Sequence, residues 1–159
     1  MEKLNFFGVG PKIGRIVLPY LAVTIVLTVI FPGIFCFGCV LKMPLMIAGI
    51  VLLLIALVFY FSTLKLMFPG IRENRLITAG AYRLCRNPLY AALIIFFVPG
   101  LALLLNSWLI LTSCIIAYLV FRIYVHEEEE MLERIFGDEF RKYRDRTSLL
   151  FPNPFGKKK

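Results

Sequence analysis

The stretch AGAYRLCRNPLY, residues 79–90, decides how this chain is organised, because it places two tyrosines and two arginines between long apolar segments. Within it, Asn87-Pro88 predicts the start of a helix, since asparagine can cap free backbone N–H groups and proline suits the first helical position. A helix start presents a partial positive charge to whatever lies before it. The stretch is therefore either a ligand site or an interfacial anchor, because tyrosine and arginine are also common at the head-group level of membranes.

The sequence on both sides of this stretch is strongly apolar. Of its 159 residues, 60% are hydrophobic, and the mean hydropathy is +0.82. These values are typical of an integral membrane protein rather than a soluble domain. A membrane-spanning helix needs about 20 apolar residues. The sequence predicts an all-α integral membrane protein with about four spans, near residues 16–35, 44–68, 88–105 and 107–125.

The third and fourth predicted spans are separated only by Asn106-Ser107. This separation predicts a tight helical hairpin, which returns the chain to the membrane edge where the third span begins.

The first predicted span follows basic residues, as a secretion signal would, but its apolar core is long and no clear small-residue cleavage site follows it. We interpret it as a retained helix.

Lysine and arginine are spread unevenly around the predicted spans. Three basic residues precede the first span, four lie between the second and third, and nine follow from Arg122 onward, whereas the first loop holds only Lys42. The positive-inside rule then predicts that both termini and the loop around Arg72–Arg86 face the cytoplasm. The net charge of +8 is explained by contacts with anionic lipid head groups, so we expect no nucleic-acid partner.

The four cysteines do not form a metal-binding pattern. Cys36 and Cys39 make a C-x-x-C, but the sequence contains no second pair and no histidine nearby, and a zinc site usually needs four ligands. We expect no metal, and we favour packing thiols over a disulfide at this pair.

A second polar cluster follows the fourth predicted span. Arg122, His126, Glu129, Glu130 and Glu133 are spaced so that they share one helical face. Apolar residues then recur at helical spacing from Leu132 to Tyr143, which predicts a C-terminal amphipathic cytoplasmic helix, with Gly137 ending or kinking a helix. Alone, the cluster is more typical of a solvated charge run. The hairpin, however, should bring it next to residues 79–90.

The ordered motifs resemble the isoprenylcysteine carboxyl methyltransferase and phospholipid methyltransferase superfamily. They are Leu76-Ile77-Thr78-x-Gly80-x-Tyr82, then Arg86-Asn87-Pro88-x-Tyr90, then Arg122, and finally a glutamate-rich run followed by Leu132, Phe136-Gly137 and Tyr143. The resemblance covers residues 76–152 of what we expect to be a single membrane domain. Residues 1–75 match only as N-terminal spans, and residues 153–159 form a basic tail.

This resemblance implies an integral membrane methyltransferase that binds S-adenosyl-L-methionine at the cytoplasmic membrane edge without a Rossmann fold. It implies that Arg122 orients the substrate and that Glu129 belongs to the catalytic site. The residues that it implies for cofactor binding are Leu76, Ile77, Gly80, Tyr82, Arg86, Asn87, Pro88, Leu89 and Tyr90, with either His126 or Glu127 at the cofactor's amino group.

The methyl acceptor implied by the resemblance is a lipid or lipid-modified amphiphile from the bilayer. Asn87 stands where the best-known members have histidine, and it suits binding better than proton transfer. A carboxylate acceptor needs only positioning, whereas an amine must first lose a proton to His126 or a glutamate. Two alternatives are a sterol-reductase-like enzyme with a nicotinamide cofactor and a small membrane transporter or scaffold. The short chain suggests a multi-pass protein of a prokaryotic plasma membrane, of unknown oligomeric state.

Overall fold

The structure is a computed structural model that describes residues 9–38 and 40–151. Throughout these ranges the regular elements are helices, and the all-α prediction is confirmed. The helices are α1 (Gly10–Ile30), α2 (Pro32–Phe35), α3 (Lys42–Arg72), α4 (Pro88–Leu104), α5 (Trp108–Phe136) and α6 (Asp138–Arg146), with a 3-10 turn at Gly80–Arg83 between α3 and α4. Cys39 of the C-x-x-C and the basic tail at 153–159 lie outside the described residues.

Three of these helices, α1, α3 and α5, are long and apolar enough to cross a membrane. The fourth predicted span corresponds to α5. The third corresponds to α4, an apolar helix that is shorter than a typical span. Within α4, residues Ala92–Phe97 form a π-helical segment. Pro99 lies two residues after this segment, and because proline has no backbone N–H, the regular ladder of helical hydrogen bonds is interrupted there.

Two helices extend beyond the predicted spans. α1 begins at Gly10 rather than near residue 16, because Pro11 in its first turn starts the helix early. α5 does not end near residue 125 but continues to Phe136, since glutamate, leucine and arginine are good helix formers and no helix-breaking residue intervenes. Gly137 then separates α5 from α6, as the sequence predicted.

The turn between α4 and α5 is as tight as predicted. Asn106 has a positive φ of 50°, which asparagine tolerates better than most residues. The N–H of Ser107 donates to the carbonyl of Ala102 at 2.8 Å. The two helices therefore form a hairpin, and α5 runs back along α4 toward residue 87.

Buried hydroxyl groups join α1 to α5. Thr24 and Ser113 share a hydrogen bond of 3.2 Å between their side-chain oxygens, and Thr28 and Ser107 share one of 2.8 Å. Hydroxyl pairs of this kind link helices where the surroundings offer no water. They hold α1 against α5 along its length.

α3 packs against α4 at two glycines, Gly49 and Gly100. A Cβ atom on Gly49 would lie 2.6 Å from the backbone nitrogen of Leu104 and 2.7 Å from the carbonyl oxygen of Gly100. The two backbones are therefore too close for any larger residue at position 49. This contact holds the α3–α4 pair together, as the hydroxyl pairs hold α1 to α5.

We expect Gly49→Ala to destabilise the fold by about 1–3 kcal/mol, the usual range for overpacking, because the added methyl group meets backbone atoms that cannot move aside. Thermal unfolding in lipid nanodiscs measures the change. Gly33→Ala is the matched control, since a Cβ on Gly33 meets nothing within 4 Å. Equal melting temperatures for the two variants would contradict the close α3–α4 contact.

Candidate functional site

The two polar segments predicted to converge do meet beside the start of α4. Arg86 donates from Nε to Oε1 of Glu129 at 2.7 Å, and the two side chains are only 13% and 16% exposed. The Nη1 of Arg86 also donates to the carbonyl oxygens of Arg144 and Thr147, at 2.8 and 2.6 Å. Arg86 thus connects the loop before α4, the end of α5 and the C-terminal segment.

Asn87 precedes Pro88 at the start of α4, as predicted, but its side chain does not cap the helix. The Nδ2 group donates instead to the carbonyl of Leu149 at 3.1 Å. The backbone N–H of Arg86 likewise donates to the carbonyl of Ser148 at 2.8 Å. The predicted cap was wrong because residues 147–149 lie alongside this loop and supply carbonyl acceptors for the amide.

Two half-buried tyrosines flank the same loop. Tyr143 donates from its hydroxyl to the backbone carbonyl of Tyr82 at 2.7 Å. Burial raises the pKa of both phenols, so they remain protonated and neutral at physiological pH. Burial also raises the pKa of Cys85 to about 11, so its thiol is neutral and is not an activated nucleophile.

Glu128 lies in the glutamate-rich run, but the sequence analysis did not single it out as a site residue. The backbone N–H of Val9 and the hydroxyl of Tyr90 lie near its carboxylate and stabilise its charged form. Its Oε2 atom is buried without a hydrogen-bond partner among the described residues. The signal was present in the sequence, because position 128 continues the face of α5 formed by the buried residues Phe121 and Val125.

A cavity of about 1060 Å³ opens from this polar cluster. Ligand sites usually have about 300–1,000 Å³, so the cavity is large enough for a sizeable ligand or for two smaller ones. Most of its wall is apolar and is supplied by α1, α3 and α4. The polar residues that line it are concentrated at one end and include Tyr82, Arg86, Asn87, Tyr90, Glu128, Glu129 and Tyr143.

The structure brings most of the predicted site residues to this cavity. Those that line it are Leu76, Ile77, Tyr82, Arg86, Asn87, Pro88, Leu89, Tyr90 and Glu129. Among the described residues, four predicted members lie outside the lining: Gly80, Arg122, His126 and Glu127.

The four residues outside the lining have other surroundings. Gly80 starts the 3-10 turn with a positive φ of 59°, and a Cβ there would lie 2.4 Å from Cδ1 of Leu66. Glycine is therefore needed for the turn itself. Arg122 and His126 are exposed on α5. Glu127 forms an ion pair with Lys12 of α1.

Comparison with protein-family models matches residues 43–139 to phospholipid methyltransferases. The match covers more than half of the chain and includes α3, α4, α5 and the polar loop. The chain belongs to the phospholipid methyltransferase family. Comparison with curated proteins gives no match, and neither does comparison with solved structures.

Membership of the phospholipid methyltransferase family confirms the superfamily resemblance found in the sequence. It makes the chain a membrane methyltransferase that acts on lipid, in preference to a reductase, a transporter or a scaffold. Most of the residues that line the cavity fall inside the matched region. The part of the wall supplied by α1 and α6 falls mainly outside it.

We expect Arg86→Ala to release the C-terminal segment. Each charge-assisted hydrogen bond contributes about 1.5–3 kcal/mol, so hydrogen exchange of the amides of residues 140–151 should accelerate by at least about tenfold. Arg86→Lys keeps the charge but loses the planar fork of donors. Its exchange rates should lie between those of the unmodified protein and those of Arg86→Ala. Arg83→Ala is the control, since Arg83 is exposed in the 3-10 turn. Unchanged protection in Arg86→Ala would show that this contact does not hold the segment.

Proposed function

We propose that this protein transfers a methyl group from S-adenosyl-L-methionine to the polar head of a lipid or lipid-modified amphiphile held in the cavity. The observation that supports this most is Glu128, whose buried Oε2 has no hydrogen-bond partner among the described residues, at the polar end of an otherwise apolar chamber. A buried carboxylate oxygen is stabilised by a cationic donor. The ammonium group of the cofactor's methionine portion is such a donor.

The residues around Glu128 suit the rest of the cofactor. Tyr82 and Tyr90 line the same end of the cavity. Leu76, Ile77 and Leu89 supply apolar surface, for which the adenine ring is a suitable partner. When bound, the cofactor supplies an electrophilic methyl group on a sulfonium sulfur.

Arg86 and Asn87 take a positioning role in this proposal. Their side chains bond to Glu129 and to carbonyls of residues 144–149. They therefore hold the C-terminal segment beside the polar end of the cavity. Pro88 starts α4 directly after them and places Tyr90 in the first turn, within reach of Glu128.

The position of Glu128 changes which glutamate is assigned to the cofactor. We assign the contact with the amino group to Glu128 rather than to His126 or Glu127, because only Glu128 of these three lines the cavity. Arg122 is exposed outside the cavity, so we give it no part in the transfer.

The rest of the cavity suits the reaction. Methyl transfer from a sulfonium requires alignment of the acceptor and exclusion of water, and the apolar side chains of Leu93, Ile94 and Phe97 provide a dry wall. A carboxylate acceptor needs no base. For an amine acceptor, we propose Glu129 as the group that takes the proton, since its carboxylate lines the cavity.

We further propose that the chain crosses a prokaryotic plasma membrane four times, with both termini on the cytoplasmic side. The hairpin makes α4 antiparallel to α5, so α4 supplies the crossing between α3 and α5. The lysine and arginine distribution then agrees with an even number of crossings. The polar end of the cavity would face the cytoplasm, from which a water-soluble cofactor arrives.

We expect Glu128→Gln to weaken the binding of S-adenosylhomocysteine by about 10- to 100-fold, because one charge-assisted hydrogen bond contributes about 1.5–3 kcal/mol. Isothermal titration in lipid nanodiscs measures this. Glu130→Gln is the matched control, since Glu130 lies two residues further along α5 and is exposed. Equal affinities for both variants and the unmodified protein would remove Glu128 from the site.

The reaction itself is tested with isotopically labelled S-adenosyl-L-methionine and a bacterial lipid extract. We expect mass spectrometry to show a labelled lipid product with the unmodified protein and much less with Glu128→Gln. The mass and fragmentation of the product also distinguish an N-methyl amine from a methyl ester. A complete absence of labelled lipid, with the protein folded, would overturn the proposed function.

A further inference from the structure

The apolar part of the cavity ends at a similar depth on three helices. Its lining extends from Gly10 to Leu21 on α1, from Ile71 to Tyr60 on α3, and from Pro88 to Val98 on α4. Each stretch rises about 15 Å, at about 1.5 Å per helical residue. The hydrocarbon core of a bilayer is about 30 Å thick. The cavity is therefore about as deep as one leaflet.

A packed floor closes the cavity at this depth. Leu21 and Val98 are only 9% and 4% exposed, and they belong to one buried cluster with Ala102 and Ile110, both fully buried. Beyond the floor, the helices pack directly on each other. An apolar chain that lies in the cavity, with its head group at the polar end, can extend only as far as Leu21 and Val98.

One side of the cavity is open between α1 and α3. α1 packs against α5, and α3 packs against α4, whereas no comparable packing joins α1 to α3 in the part of the chain that the structure describes. Leu18 of α1 lines the cavity and is nevertheless 65% exposed. Tyr60 of α3 also lines the cavity and is exposed. In a membrane, this opening would face lipid chains.

We propose that the cavity receives one hydrocarbon chain of the acceptor through the α1–α3 opening, and that Leu21 and Val98 set the longest chain it holds. A single chain fits better than two, because the same 1060 Å³ must also hold the cofactor at its polar end. The acceptor is thus an amphiphile with one tail in the cavity, drawn from the leaflet next to the polar end. This assignment rests on the proposed function for the chemistry, but tail binding can be measured without methyl transfer.

Native mass spectrometry with a series of lysophosphatidylethanolamines, from decanoyl to stearoyl, tests the floor. In the unmodified protein, affinity referred to the lipid free in water should rise by up to about fourfold for each added methylene while the tail is being buried, and should stop rising when the tail reaches the floor. We call the tail length at which affinity stops rising the break. Val98→Ala and Leu21→Ala deepen the cavity and should move the break to longer tails. Val98→Phe fills it and should move the break to shorter tails.

Matched controls carry the same substitutions on the exposed face of α3. Val58 is 69% exposed and Leu54 is 58% exposed, and neither lines the cavity. Val58→Ala, Val58→Phe and Leu54→Ala should therefore leave the break where it is. If Val98→Phe fails to fold, the two alanine variants decide the question alone. The proposal is overturned if the break stays at the same tail length in both alanine variants, or if affinity does not depend on tail length.

The two proposals fail in different ways. If the break shifts in the Val98 and Leu21 variants but the protein transfers no labelled methyl group, the floor is supported and the enzymatic function is overturned. If labelled product forms but the break stays at the same tail length in these variants, the function is supported and the floor is overturned.

Discussion

The candidate site depends on the ion pair between Arg86 and Glu129. It joins the loop before α4 to the far end of α5, and the same guanidinium binds two carbonyls of the C-terminal segment. Both side chains are largely buried, so removal of either partner would leave a charge without its counter-ion in a poorly solvated place. Glu128 is the neighbour of Glu129 on α5, so the ion pair holds the part of α5 that carries the carboxylate beside Tyr90.

The framework of the molecule could be predicted from the sequence, because it depends on hydropathy and on strong local signals. The long apolar segments gave the helices that can cross a membrane. Pro88 marked the start of α4, Gly137 the end of α5, and Asn106-Ser107 the turn between α4 and α5. Each of these signals acts through the backbone of its own neighbourhood, and no distant residue is needed to interpret it.

The parts that could not be predicted depend on partners far away in the sequence. Asn87 was expected to cap α4, but its amide is taken by the carbonyl of Leu149, 62 residues later. Among adjacent glutamates, composition does not reveal which one points inward, and the helical face shared with Phe121 and Val125 selects Glu128. The same face leaves His126 exposed. Predicting contacts of this kind requires the tertiary arrangement of α1, α4 and α5.

The short length of α4 has a consequence for the surrounding bilayer. As the crossing that we propose, its 17 residues would span about 25 Å, a few ångströms less than a typical hydrocarbon core of about 30 Å. α3 and α5 are much longer, so the mismatch affects only one side of the protein. Lipids beside α4 would have to shorten locally, and a thinner membrane would accommodate the protein at a lower free-energy cost. Membrane thickness would then influence where this protein resides, independently of what it methylates.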